Sequence, residues 1–221
     1  MKKYFDILKG TKLFEGIEED EISSMLGCLQ ARKQSYKKGE YVFSAGDEAH
    51  SIMVLVEGSL LIQNDDYWGN RSIISHVSVG ETFGEAYAAP GCSTLQNDVV
   101  ATSDSVVISF DVNRILTVCS HACRFHTMTV RNLFYSISEK NRRLVEKLGH
   151  MAQRTTREKL MSYLSEESKR RGSAEFTIPY SRQQLADFLS VDRSAMSNEL
   201  SKMRDEGMVE FDRSRFVLLG Q

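Results

Sequence analysis

The sequence predicts an α+β chain in three parts: an N-terminal jelly roll or double-stranded β-helix over 1–115, a long helix over 116–153 and a winged helix-turn-helix over 154–221. Three observations predict it. Short apolar runs alternate with turn residues to about Asp111, an amphipathic segment without Pro follows, and a capped pair of short helices then precedes two C-terminal strands. Many short strands separated by turn chemistry read as a sandwich or barrel. A long segment of helical periodicity reads as one helix.

The first part opens with a short helix over 18–29 and then turns β-like. Its apolar runs are Tyr41-Val42-Phe43, Ile52-Met53-Val54-Leu55-Val56, Ser59-Leu60-Leu61-Ile62, Ser72-Ile73-Ile74, Val99-Val100-Ala101 and Val106-Val107-Ile108. Between them lie Ala45-Gly46-Asp47, Glu57-Gly58, Trp68-Gly69-Asn70, Val79-Gly80-Glu81 and Pro90-Gly91. These are the residue types that make tight turns, Gly by its freedom at positive φ and Asp or Asn by bonding their own backbone.

The long helix is expected from Cys119 to Gln153, with Gly149 as its one breaker. Its stripe is Val130, Phe134, Ile137, Asn141, Leu144, Leu148 and Met151, spaced alternately four and three apart. That is a heptad seam, and the polar Asn141 is the type of residue that fixes register in a two-stranded coil. A helix lying on its own domain would show a wider stripe of period 3.6. The seam therefore predicts a homodimer; the other reading is a helix buried on its own sheet.

In the third part, Glu158 to Leu164 reads as a helix and Arg170-Arg171-Gly172-Ser173 breaks it. Phe176-Thr177-Ile178-Pro179 is a short strand, and two helices follow. Met208-Val209-Glu210-Phe211 and Arg215-Phe216-Val217-Leu218-Leu219 form a hairpin across Asp212-Arg213-Ser214. Ser181 with Gln184 makes a capping box for the first of the two helices, and Asp192 caps the second. Leu185, Phe188 and Leu189 form the buried face of one; Met196, Leu200 and Met203 form that of the other. Arg193, Ser194, Ser197 and Asn198 remain outward on the first turns of the second helix.

Those outward positions are the ones a helix-turn-helix carries into the major groove. Arg pairs bidentately with guanine O6 and N7, and Asn with adenine N6 and N7. Ser181, Arg182 and Gln183, at the start of the first helix, are placed to hold phosphate oxygens. The predicted partner is DNA, read by two copies on a palindromic operator. A ligand-binding signalling module acting through protein contacts is the alternative, and it would favour exposed aromatics on the outward face.

Bulk electrostatics adds no support for nucleic-acid binding. The net charge is −2, and 155–221 holds 11 Lys and Arg against 11 Asp and Glu, so affinity must come from placement of a few charges. The start lacks the apolar core of a signal peptide and no run is long enough to span a membrane, so a cytoplasmic location and no membrane partner are expected. Four scattered cysteines do not make a disulfide scaffold. No nucleophile–base pattern or phosphate loop appears, His50 and His76 stand isolated, and no enzyme is expected.

From end to end the chain resembles the CRP/FNR family of transcription regulators. Lys38-Gly39-Glu40, Gly46-Asp47, Val56-Glu57-Gly58 and Gly80-Glu81-Thr82-Phe83-Gly84-Glu85 look like that family's cyclic-nucleotide-binding-type β-roll. The helix-turn-helix matches it in residue type. The resemblance implies a homodimer whose sensor domains control presentation of the reading helices, with a small-molecule or redox effector and RNA polymerase as further partners. It also implies an effector pocket at Gly84, Glu85, Leu95 and Gln96. In cAMP-responsive members a Gly-Glu pair binds ribose, and an Arg-Ser pair about ten residues on binds the cyclic phosphate. Gly84-Glu85 is present here, but Leu95-Gln96 stands at the Arg-Ser positions, and no Arg or Lys lies between Arg71 and Arg114. A buried anion without a cationic partner is costly, so cAMP is not expected. An iron–sulfur cluster of the oxygen-sensing type is not expected either, since Cys28 is the only cysteine in the first ninety residues. Arg193 matches the family's guanine-reading Arg; Ser194 and Asn198 replace a Glu and a second Arg of the cAMP-type members, so the operator is expected to differ.

Cys119, Cys123 and His126 fall at i, i+4 and i+7 on one helical face. Two thiolates and an imidazole suit a metal or redox sensor. They are one ligand short of a structural site, and buried cysteines serve as small apolar residues.

Overall fold

The computed structural model describes residues 2–88, 94–117 and 124–220. It forms two compact units, Met1–Asn64 with Ile74–Lys140 and Asp65–Ile73 with Asn141–Gln221.

The first unit starts with α1 (Phe5–Lys9) and α2 (Glu19–Cys28). Glu18 and Glu21 form a reciprocal capping box at the head of α2. Eight strands follow: β1 (Arg32–Tyr36), β2 (Tyr41–Phe43), β3 (Ser51–Glu57), β4 (Leu60–Asp65), β5 (Arg71–Val77), β6 (Thr82–Phe83), β7 (Asp98–Ala101) and β8 (Ser105–Asp111). Two short helices interrupt or end them, α3 (Glu85–Ala88) and α4 (Val112–Leu116). The strands make two four-stranded sheets, ordered β1-β8-β3-β6 and β2-β7-β4-β5. This is the expected roll of two sheets.

Side chains alternate across a strand, and β3 and β8 bury both faces. Ile52, Val54, Val56, Val106, Ile108 and Phe110 enter the core under the N-terminal helices; Met53, Leu55 and Val107 enter the other core, with Leu60, Val77, Phe83 and Val99. Burial on both faces is why these strands read as continuous apolar runs. Strand β1 is not legible in that way: Arg-Lys-Gln-Ser-Tyr is an edge strand that pairs, among the described strands, with β8 alone, and Arg32 to Ser35 are exposed.

Helix α5 (Arg124–Met151) runs from the first unit into the second. Its expected start falls at residues outside the described ones, among them Cys119 and Cys123. The compact units thus do not follow the three periodicities of the sequence. Period reports local conformation, whereas compactness reports contacts between segments distant in sequence.

The second unit adds α6 (Thr156–Arg171), β9 (Glu175–Thr177), α7 (Arg182–Leu189), α8 (Arg193–Asp205), β10 (Val209–Asp212) and β11 (Arg215–Leu218). The strands pair antiparallel in the order β10-β11-β9. Thr155 and Glu158 box the head of α6, and Gly172, at φ 63°, ends it. No described helix is long and apolar enough to cross a membrane.

Candidate nucleic-acid interface

Helices α7 and α8 are each started by a cap. Ser181 Oγ accepts from the Gln184 N–H at 3.3 Å, and Gln184 Oε1 accepts from the Ser181 N–H at 2.8 Å. Asp192 Oδ1 accepts from the Ala195 N–H at 2.7 Å. Between the helices the chain turns at Ser190, which adopts a left-handed φ of 51°. Ala186 is fully buried, which lets the two helices approach closely. Lys159 Nζ donates to the Leu189 and Ser190 carbonyls at 3.2 and 3.3 Å, satisfying acceptors at the end of α7.

The α8 helix is two-sided. Met196, Leu200 and Met203 are buried. Arg193, Ser194 and Asn198 are exposed, and the side chains of Arg193 and Asn198 hold no hydrogen bond to any described residue. Ser197 is half-buried and donates its hydroxyl to the Arg193 carbonyl at 2.9 Å, which leaves its oxygen lone pairs as acceptors. Arg157 on α6 fixes α8 from behind, reaching Glu199 at 3.3 Å and Glu206 at 3.1 Å. The Glu206 carboxylate holds the Arg157 guanidinium above its ordinary pKa, and Arg157 holds Glu206 below the usual carboxylate range.

Arg182 departs from expectation. Its guanidinium lies over the Phe211 and Phe216 rings of the hairpin, 4.6 and 4.8 Å from their centroids. Both terminal nitrogens are buried without a hydrogen-bond partner among the described residues, and burial lowers the guanidinium pKa. A group so enclosed does not present its N–H donors to a phosphate; two phenyl faces hold it by their negative quadrupoles. Gln183 is exposed but bonds Asp187 Oδ1 at 2.8 Å, and Ser181 is exposed at the helix head. Arg213 is a further candidate that no period or cap in the sequence singles out. It sits exposed at the hairpin tip with φ 50° and no side-chain hydrogen bond to a described residue. Its signal was its place in the turn Asp212-Arg213-Ser214.

The expected effector residues have different surroundings. Gly84 takes φ 88°, and a Cβ there would lie 3.1 Å from the Ser51 carbonyl oxygen. The Glu85 side chain is buried and ion-paired with Lys140 Nζ at 2.6 Å. Leu95 is buried and exchanges backbone bonds with Gly46 and Asp47, while Gln96 is exposed. Of the third constellation only His126 is described; it is buried, with Nε2 3.2 Å from the Arg114 carbonyl oxygen.

Comparison with known proteins agrees with this arrangement. Residues 33–122 match the cyclic nucleotide-binding domain, and residues 158–220 match the Crp-like helix-turn-helix domain. The chain belongs to the CRP/FNR family. This CRP/FNR-type transcription regulator is 24% identical to the transcriptional activator protein FnrL of Cereibacter sphaeroides over 212 residues, 89% of this chain and 81% of FnrL. The fold is that of FixK2 from Bradyrhizobium japonicum, with TM-score 0.68 at 19% identity over 86% of this chain and 93% of FixK2. It is also that of the c-di-GMP responsive regulator CLP of Xanthomonas campestris, with TM-score 0.73 at 17% identity over 92% of this chain and all of CLP. CRP/FNR homologues are transcription regulators and not enzymes.

Proposed function

We propose that this regulator acts as a homodimer, zipped along α5, whose two α8 helices read a palindromic operator in successive major grooves. The observation that carries the reading is the outward face of α8. Arg193 and Asn198 have no partner among the described residues, yet the helix bearing them is capped, backed and held by Arg157. Arg193, Ser194, Ser197 and Asn198 make the base contacts. Ser181 and Gln183 at the head of α7, and Arg213 at the hairpin tip, hold phosphates. Arg182 holds the hairpin.

The dimer reading is supported by the exposure of the seam. Val130, Phe134, Ile137, Leu144 and Leu148 all stand exposed, Phe134 by 68%. Asn141 is exposed on the same stripe, and Met151 is half-buried. An apolar stripe of this length on one helix calls for a second copy. Two-fold symmetry would set the reading helices about 34 Å apart. The roll is the site of control by a small-molecule or redox effector other than cAMP, because a buried Leu95 supplies no counter-charge for a cyclic phosphate. A cytoplasmic location and contact with RNA polymerase go with this role.

Selection of bound duplexes from a random DNA pool tests the reading. A palindrome with half-sites one helical turn apart is expected. Failure to enrich any sequence would favour action through protein contacts instead.

A further inference from the structure

Helix α5 is attached to the first unit by polar groups as well as apolar ones. Phe125, Met128 and Leu133 pack on the core of the roll, and Thr129, Asn132 and Ser136 are buried beside them. Asn132 Nδ2 donates to the Leu13 and Glu15 carbonyls at 3.2 and 2.8 Å. One turn on, Ser136 Oγ meets Thr82 Oγ1 at 3.0 Å. One turn further, Lys140 Nζ donates to Glu85 Oε1 at 2.6 Å, to Thr82 Oγ1 at 3.2 Å and to the Thr82 carbonyl. The Glu85 side chain is only 6% exposed, so Lys140 is the counter-charge of a carboxylate that water scarcely reaches.

Asn132, Ser136 and Lys140 stand four apart and share one face of the helix. At about 100° per residue, Val130, Phe134 and Ile137 lie about a third of a turn round from them. Apolar packing is non-directional and tolerates rotation of a helix about its axis. Hydrogen bonds are directional and do not. A slip of one residue would turn the apolar stripe by about 100° and break all three polar attachments.

We propose that Lys140 is a positioning residue for dimerisation: its ion pair with Glu85 fixes the rotation of α5 on the roll and so aims Val130, Phe134 and Ile137 at the second copy. The inference rests on reading that stripe as the dimer seam. Lys140 does not touch the partner in this scheme. It acts through the orientation of the helix that does.

The test uses the full chain. Lys140→Met alone orphans a buried carboxylate and would unfold the roll for that reason only. Lys140→Met combined with Glu85→Met removes both charges and keeps apolar volume, and Lys140→Arg keeps the ion pair. Sedimentation equilibrium gives the dimer dissociation constant, and thermal unfolding of the roll is followed in parallel. The double variant is expected to melt within about 3 °C of the wild type. Its dimer constant is expected to rise about tenfold or more, with a matching loss on the full palindrome and none on a single half-site. Lys140→Arg is expected to dimerise as the wild type does. A double variant that folds and dimerises like the wild type would overturn the proposal. If the double variant does not fold, Lys140→Gln combined with Glu85→Gln takes its place, since it removes both charges and keeps polar side chains of similar length: an unchanged dimer constant overturns the proposal while a rise of about threefold or more supports it. A monomeric wild type would instead remove the seam reading itself. A dimeric wild type whose dimer constant does not depend on the Lys140–Glu85 pair removes only this inference.

Discussion

Arg182 and Arg193 carry the same charge and face opposite surroundings. Arg193 is exposed with no side-chain hydrogen bond to a described residue, while Arg182 lies on two phenyl rings with its terminal nitrogens enclosed. Arg193→Ala is expected to weaken operator binding by about 1–3 kcal/mol and to relax one base position, as read by competition with single-base operator variants. Arg182→Met is expected to destabilise the second unit by about 1–2 kcal/mol, the worth of a partly desolvated cation over aromatic faces. The slope of affinity against salt is expected to stay unchanged in Arg182→Met and to fall by about one in Arg213→Ala, since only a phosphate contact releases a counterion. An Arg182→Met slope that falls would restore Arg182 to the backbone. Lys147 supplies a pH signature. It donates to the Ile73 carbonyl and lies 4.6 Å from the Phe188 ring centroid, and burial pushes its pKa down to about 8. Between that value and the unfolded lysine value of about 10.4, the unfolded chain binds more protons, so stability rises with pH across this window. The difference in urea midpoint between wild type and Lys147→Met is expected to move in the wild type's favour from pH 8 to pH 10; a flat difference would contradict the buried placement.

At the scale of elements, capping and turns were readable because they are local. Ser181 with Gln184, and Asp192 on Ala195, close as their spacing indicates. Gly58 is a sharper case. It takes φ 87°, and a Cβ there would fall 2.4 Å from the Asp104 carbonyl oxygen and 2.8 Å from Ser105 Cα. Gly58→Ala is expected to cost at least about 1–3 kcal/mol from backbone strain, read as a lower thermal midpoint. Strand β1 and the short helices α3 and α4 carry no pattern that the sequence alone displays. A polar edge strand has no apolar alternation to betray it, and four- or five-residue helices are too short to show a period.

At the scale of the whole molecule, the exposed apolar surface that asks for a partner lies on α5. Its stripe stands in water in a single chain, with Leu148 64% exposed. Phe134→Glu with Leu148→Glu is expected to give a folded monomer in sedimentation and to lose the palindrome while keeping weak half-site binding. A dimer that survives both charges would place the interface elsewhere.

The sequence by itself determined the order of the three regions, the caps of α7 and α8, the outward polar face of α8 and the heptad stripe. All of these depend on residues within a few positions of one another, where period and spacing suffice. Only the tertiary structure decided that Arg182 turns onto Phe211 and Phe216 and that Lys140 neutralises Glu85. A long charged side chain has several directions open to it. Which one it takes is set by partners brought near from 29 or 55 positions away, and that proximity is a property of the folded chain.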